Sequence, residues 1–365
     1  MPGTQYADYF LGANTPSGFR SMFEDSYSAA DGWQVYIIKG GPGTGKSTLM
    51  RRIAALAGEQ GLFTERIRCS SDPDSLDAVI IPSLRRAIYD GTAPHVLEPQ
   101  LAGACERLVD LGQAWDTDVL HRRREDIARL SAECSALHGQ ATQMLACADV
   151  FRRRLSAPAA LAADRDKLDR AAERLCRRFG LHGNSGSASS GRTMRRLASA
   201  VTPGGIMNAA EEYISSFGRV VPIYDSTCAV SGMLLAALRD RLIRRGYSLI
   251  ECPCSQQHDR TEHLLLPEED ICFTVRSDIH GAELSTDADQ RAVRSGRFLP
   301  PEFTQGRHPE RAADRRELLR FTSLAAECMR RAKEVHDRLE GCYRDAMDFG
   351  LVQLIGERTA EQILG

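Results

Sequence analysis

The stretch from Val35 to Met50 restricts the fold more than any other part of the chain. Val35, Tyr36, Ile37 and Ile38 form a β-prone apolar run that enters four glycines, Gly40, Gly41, Gly43 and Gly45. Leu49, Met50, Ile53 and Leu56 leave them at helical spacing. A strand that turns into a helix through so short a loop predicts an α/β protein with a mainly parallel sheet flanked by helices.

The loop satisfies G-x-x-x-x-G-K-S between Gly40 and Ser47, the pattern of a phosphate-binding P-loop, and it has the strand and helix which that motif requires. Glycines let the backbone take positive φ and let successive N–H groups point into one anion-sized hollow. The positive end of the following helix adds to this, Lys46 supplies a mobile cation, and the Ser47 hydroxyl suits Mg²⁺. The expected phosphate-binding set is Gly40, Gly41, Pro42, Gly43, Thr44, Gly45, Lys46, Ser47 and Thr48, with ATP or GTP and Mg²⁺ as cofactors.

Three hundred and sixty-five residues suit two domains of ordinary size. The formal net charge of −2 gives no overall attraction to nucleic acid or membrane. The first residues lack a basic and an apolar leader region, and no apolar run approaches a membrane span, so a cytoplasmic protein with no membrane partner is expected. Eleven cysteines, an odd number scattered without a C-x-x-C pair, encode neither a disulfide framework nor a zinc knuckle.

Before the P-loop, Phe10 to Phe19 reads as a loop, followed by a short helix around Met22. After it, Phe63 to Cys69 reads as a second strand that opens into an acidic loop with Asp72, Asp74 and Asp77. Ligands of open parallel sheets sit outside the strand carboxyl ends, so this loop is expected beside the phosphates. A short apolar run then ends at Asp90, where an acid can face the P-loop serine and hold Mg²⁺; the bland reading is a turn-starting aspartate before Gly91. No glutamate follows Asp90 to activate water. The candidates for a base are therefore Asp72, Asp74, Asp77 and His95, with a packing histidine the competing reading of His95. Lys46, Asp90, Asp72 and Asp74 are the catalytic candidates, and Ser47 and Asp90 the metal ligands.

From about Ala102 to Phe179 the pattern reads as helical. Ile127, Leu130, Cys134, Leu137, Ala141, Met144, Ala148 and Phe151 form a seam for a partner helix, and Leu161, Leu168, Leu175 and Phe179 supply a return helix, which together predict a hairpin. Residues 152–196 hold twelve Arg or Lys against four Asp or Glu. A solvated helix face is the default reading of that excess; nucleic-acid contact is the alternative, without aromatic interleaving to support it. Residues 180–191 read as a flexible linker between a domain at 1–179 and a second at 192–365.

The second half reads as a worn copy of the first. Gly61, Cys69 and Pro82 stand over Gly246, Cys254 and Pro267, each 185 residues further on. The copy extends to a C-terminal hairpin over 309–364. In place of the P-loop it has Asp225 to Gly232, with Val230 where Gly45 stands, Ser231 where Lys46 stands and Val275 where Asp90 stands. A β-branched residue resists the glycine's backbone angles and Asp225 brings negative charge to the cradle, so the second copy is not expected to bind nucleotide. Arg239, Arg241, Arg244, Arg245 and Arg276 are candidates to reach across to the first site.

Through Ile38 to Thr48, Cys69 to Asp77, Val79 to Pro82 and Asp90 to His95, together with the repeat, the chain resembles a family of uncharacterised bacterial tandem P-loop proteins, described as ATPases or P-loop NTPases. The resemblance implies two P-loop α/β domains in tandem and nucleotide binding. Family members can carry an intact P-loop in both halves, and Ser231 departs from that. The expected function is binding and hydrolysis of a nucleoside triphosphate at one P-loop, coupled to a shape change. The alternatives are a small-molecule phosphotransferase with Asp72 or Asp74 as base, and a nucleotide-dependent binding module without turnover. A further protein partner or phosphate acceptor is left unknown.

Overall fold

The computed structural model describes residues 4–183, 191–277, 292–305 and 308–365. In chain order the first half holds β1 (Tyr6–Tyr9), β2 (Gly12–Thr15), β3 (Gly18–Ser21), β4 (Gln34–Lys39), α1 (Lys46–Glu59), β5 (Thr64–Arg68), β6 (Leu76–Ile81), β7 (Arg86–Asp90) and β8 (Glu106–Asp110), then α2 (Thr117–Arg122), α3 (Arg124–Ala162) and α4 (Arg165–Arg178). The second holds β9 (Thr193–Arg195), β10 (Ser199–Thr202), β11 (Gly205–Asn208), α5 (Glu211–Ser215), β12 (Arg219–Tyr224), α6 (Val230–Arg244), β13 (Leu249–Pro253), β14 (Thr261–Leu266), β15 (Ile271–Arg276) and β16 (Val293–Arg294), then α7 (Pro301–Thr304), α8 (Pro309–Arg344) and α9 (Phe349–Leu364).

Each half builds a mixed, mostly parallel six-stranded sheet. The orders are β1-β5-β6-β7-β4-β8 and β9-β13-β14-β15-β12-β16, with β6 and β14 the antiparallel members. The two orders are the same, and the register slips at the same place, after Ile67 and after Cys252.

The alternation of β4 explains its central place. Val35 and Ile37 point into one core and Tyr36 and Ile38 into another, so the strand is buried on both faces. The first of these cores is common to the two sheets: Ile67 and Ile80 of one lie with Ile250 and Leu265 of the other. A buried ion pair, Glu65 to Arg196 at 2.7 Å, and reciprocal backbone hydrogen bonds between Phe10 and Leu197 join the halves there.

The outer face of each sheet is covered by one helix of its own half and one of the other. α1 and the C-terminal α9, through Ala360 and Ile363, cover the first sheet. α6 and α4, through Leu168, Ala172 and Leu175, cover the second. α4 therefore lies with the second half, although it precedes residues 180–191.

Several expectations are corrected. The seam of α3 is where it was predicted, but its partner is α8 and not a return helix. Leu130 and Leu137 pack with Val335 and Leu339, Ala141 and Leu145 with Ala325 and Met329, and Phe151 stacks on Phe321, so the two long helices run antiparallel. Neither half forms its own hairpin; Leu161, proposed for the return helix, is 88% exposed. Residues 102–116 are not α-helical but contain the edge strand β8 and a 3-10 turn over Leu111–Ala114, and Phe10 to Phe19 is not a loop but includes the β2-β3 hairpin. A 3-10 turn over Glu24–Ser26 replaces the helix expected near Met22. Within the predicted linker, residues 184–190 lie outside the described residues. Among the described residues no helix is long and apolar enough to cross a membrane.

Candidate functional site

β4 delivers the glycine-rich loop to the carboxyl edge of its sheet, and α1 begins at Lys46 directly after it. Gly43 and Gly45 take φ of 68° and 88°, which a side chain would resist, and Gly45 is the N-cap of α1. Thr44 is buried and its hydroxyl donates to the Gly41 carbonyl at 2.9 Å, closing the loop on itself. Lys46 Nζ donates to the carbonyls of Gly40 and Gly41 at 3.1 and 2.8 Å. Pro42 lies at the outer bend, and Thr48 is exposed on the first turn of α1.

β7 runs parallel to β4 with Asp90 opposite Ile38, which brings the acid to the loop. Asp90 Oδ2 stands 3.5 Å from Lys46 Nζ, with both side chains largely buried, and Asp90 Oδ1 accepts from the Thr92 N–H and hydroxyl. Ser47 Oγ accepts the Leu76 N–H at 3.0 Å, which ties α1 to the end of the acidic loop. Lys46 and Asp90 thus face each other at the loop, while Ser47, the next residue of α1, is turned to the start of β6.

The acidic loop divides into two roles. Asp72 accepts from the Ser75 hydroxyl and lies 3.6 Å from Lys333 of α8. Asp74 is exposed, and its carbonyl accepts from Arg51. Asp77, by contrast, is buried behind the loop with His95, 3.4 Å away, and His95 is stacked on Phe23. Burial by itself pulls the His95 pKa down; the charge and hydrogen bond of Asp77, with help from Asp90, outweigh burial and the repulsion of Lys46, and the net shift is upward. His95, packed against Phe23 and paired with Asp77, is a buried neighbour of the loop and not a group exposed at its mouth.

A group whose folded pKa is raised contributes stability below its unfolded value and loses it as pH rises through the folded one. The melting-temperature advantage of the wild type over His95→Gln is therefore expected to shrink by about 2–4 °C between pH 6 and pH 9. An advantage that is constant or grows with pH would contradict this arrangement.

The loop is roofed by the second half, which sequence reasoning missed. A Cβ on Gly41 would stand 2.7 Å from the Tyr343 ring, and one on Gly43 would stand 2.9 Å from the Glu340 carbonyl oxygen. The Glu340 carboxylate accepts the Gly43 N–H, Tyr343 leans on Trp115, and Val352 of α9 approaches Gly45. The only sequence signal for this roof was the long apolar seam, which required a partner without naming it. Of the arginines proposed to reach this site, Arg239 pairs with Asp240 and Glu251, and Arg241 and Arg245 with Glu173, all in and around the second sheet, while Arg244 is exposed on α6 and Arg276 ends β15.

At the corresponding place in the second half, Asp225 occupies the cradle itself. It is 1% exposed, and its carboxylate accepts from the N–H groups of Thr227, Ala229 and Ser231 at 2.9, 3.1 and 2.8 Å and from the hydroxyls of Thr227 and Ser295. Val230 starts α6 in place of the left-handed Gly45, and Val275 is buried in the core. No protein-family model, curated protein or solved structure matches the chain, so the reading of both cradles rests on their own residues and geometry.

Proposed function

We propose that the Gly40–Ser47 loop binds a nucleoside triphosphate, ATP or GTP, together with Mg²⁺, and that the chain hydrolyses it slowly while its long helices shift. The observation that carries this reading is the approach of Asp90 to Lys46, the chain neighbour of Ser47, at the mouth of a loop with two left-handed glycines. The residues fit Mg²⁺: the Ser47 hydroxyl keeps a lone pair after accepting from Leu76, and Asp90 Oδ2 faces Lys46 while Oδ1 holds Thr92, so both donors are the hard oxygens that this ion takes. Bound there, the ion would neutralise charge on the terminal phosphates.

The chain's own groups would act as follows. Lys46 would exchange two loop carbonyls for phosphate oxygens, since its ammonium is held only by neutral acceptors and one carboxylate at 3.5 Å. The Gly43 N–H would turn from Glu340 to phosphate, which releases the end of α8 and gives the arm its motion. Turnover is expected to be slow because no glutamate follows Asp90, Asp72 is tied to Lys333, and Asp77 is buried with His95. The matching strand orders and register slips of the two sheets support an internal duplication in which one cradle has become self-filled.

Purified protein incubated with γ-labelled ATP and Mg²⁺, alone and with a metabolite extract, tests the reading. Free phosphate without an acceptor is expected. Label on a new small molecule would replace hydrolysis with phosphotransfer, binding without either would leave a nucleotide-dependent module, and no binding would sink the reading.

A further inference from the structure

Beside the roof of the loop, a cluster of side chains lies across the α3-α8 seam, and of its members only Glu340 enters the function proposed above. Cys134 and His138 are one turn apart on α3, and His336 and Glu340 are one turn apart on α8. The imidazoles of His138 and His336 both hydrogen-bond the Cys134 sulfur, and His336 Nε2 lies 3.6 Å from the Glu340 carboxylate. In its thiol form Cys134 donates to the Ala332 carbonyl at 3.6 Å. Glu340 in turn accepts the Gly43 N–H, so three contacts lead from a sulfur to the glycine-rich loop.

We propose that Cys134 is a covalent modification site for low-molecular-weight disulfides, with His336 and Glu340 as positioning residues, and that its modification is felt at Gly43. The chemistry favours the thiolate as nucleophile. Hydrogen bonds from His138 and then His336 bring the Cys134 thiol down to about 6 against the effect of burial, and His336, held by Cys134 and Glu340, rises to about 9. Lys333, one turn before His336, is paired with Asp337 and Asp72 and does not compete for the sulfur. Cys134 is half-buried beside the α3-α8 seam, so it is partly accessible to solvent.

In the exchange, the Cys134 thiolate attacks one sulfur of the disulfide. A new S–S bond forms, the old one breaks, and the departing thiolate leaves with the bond's electron pair and takes a proton from the His336 imidazolium. Cys134 is oxidised and one half of the reagent is reduced. His336 loses its anionic partner, the seam gains bulk, and the Glu340 contact with Gly43 weakens.

The experiment uses the full chain and needs no nucleotide. Iodoacetamide labelling between pH 5 and 9, read by peptide mass spectrometry, is expected to modify Cys134 at least about tenfold faster at pH 7 than half-buried Cys147 on the same helix, with a midpoint well below that of an ordinary thiol. His336→Gln should raise that midpoint, and His336→Lys should restore part of the rate. Treatment with cystamine should form one mixed disulfide at Cys134 and speed hydrogen exchange at Gly43 several-fold, with no change in Cys134→Ser. Equal rates at Cys134 and Cys147, or a midpoint unmoved by His336→Gln, would overturn the modification site. An unchanged Gly43 after complete modification would overturn its transmission.

Discussion

Lys46→Ala is expected to weaken binding of the Mg²⁺–nucleotide complex at least about a hundredfold, measured by titration calorimetry on protein whose melting temperature is checked alongside. Hydrogen bonds from a charged donor contribute about 1.5–3 kcal/mol each, and two to phosphate oxygens would give a loss of this size. The ammonium is poised for this by geometry, since it rests on carbonyls of the loop itself. Removal of Lys46 also leaves Asp90 with Thr92 as its remaining hydrogen-bond partner, at the mouth where phosphates would sit, which adds repulsion to the lost attraction. Ser231→Ala, at the matching position of the second half, should leave affinity unchanged. Equal losses in the two variants would sink the assignment of a single nucleotide site.

The second large effect concerns stability. Asp225→Ala should destabilise the protein by about 3–5 kcal/mol, read as a lower urea midpoint, because it strips a buried carboxylate from three backbone N–H groups and takes from the buried Arg260 one of the two carboxylates, with Glu262, that balance its charge. Burial alone would raise the pKa of Asp225, but the Thr227 hydroxyl, the Ser231 N–H and the charge of Arg260 together lower it. A depressed folded pKa gives stability above the unfolded value, near 4, that is lost as pH falls through the folded one. The wild type should therefore lose its advantage over Asp225→Asn in acid. A loss below about 1 kcal/mol for the alanine variant would mean that water fills the cradle equally well.

The same Asp225 shows how far residue types can be read in advance. Its negative charge in the second cradle was legible, and so was the conflict between Val230 and a left-handed backbone. That the carboxylate turns inward and takes the place of an anion was not legible, because that depends on where three N–H groups converge. His95 was ambiguous for a similar reason: a histidine after a turn is uninformative until Asp77, Asp90 and Phe23 are known to surround it. β8 was hidden because an edge strand has one exposed face, and Leu108, 56% exposed, breaks the alternation that would have marked it.

By itself the sequence determined the strand, loop and helix from Val35 to Met50, the acid at the end of β7 and the seam of α3. All of these are local patterns, in which backbone preference and spacing settle the outcome between neighbours in the chain. The tertiary structure alone decided that α3 would pair with α8, that α4 and α9 would each cross to the other half's sheet, and that Glu340 and Tyr343 would cover the loop. The physical reason is that an apolar stripe specifies the need for a partner and its shape but not its address; the closing contacts are chosen by the cores of two sheets packed back to back.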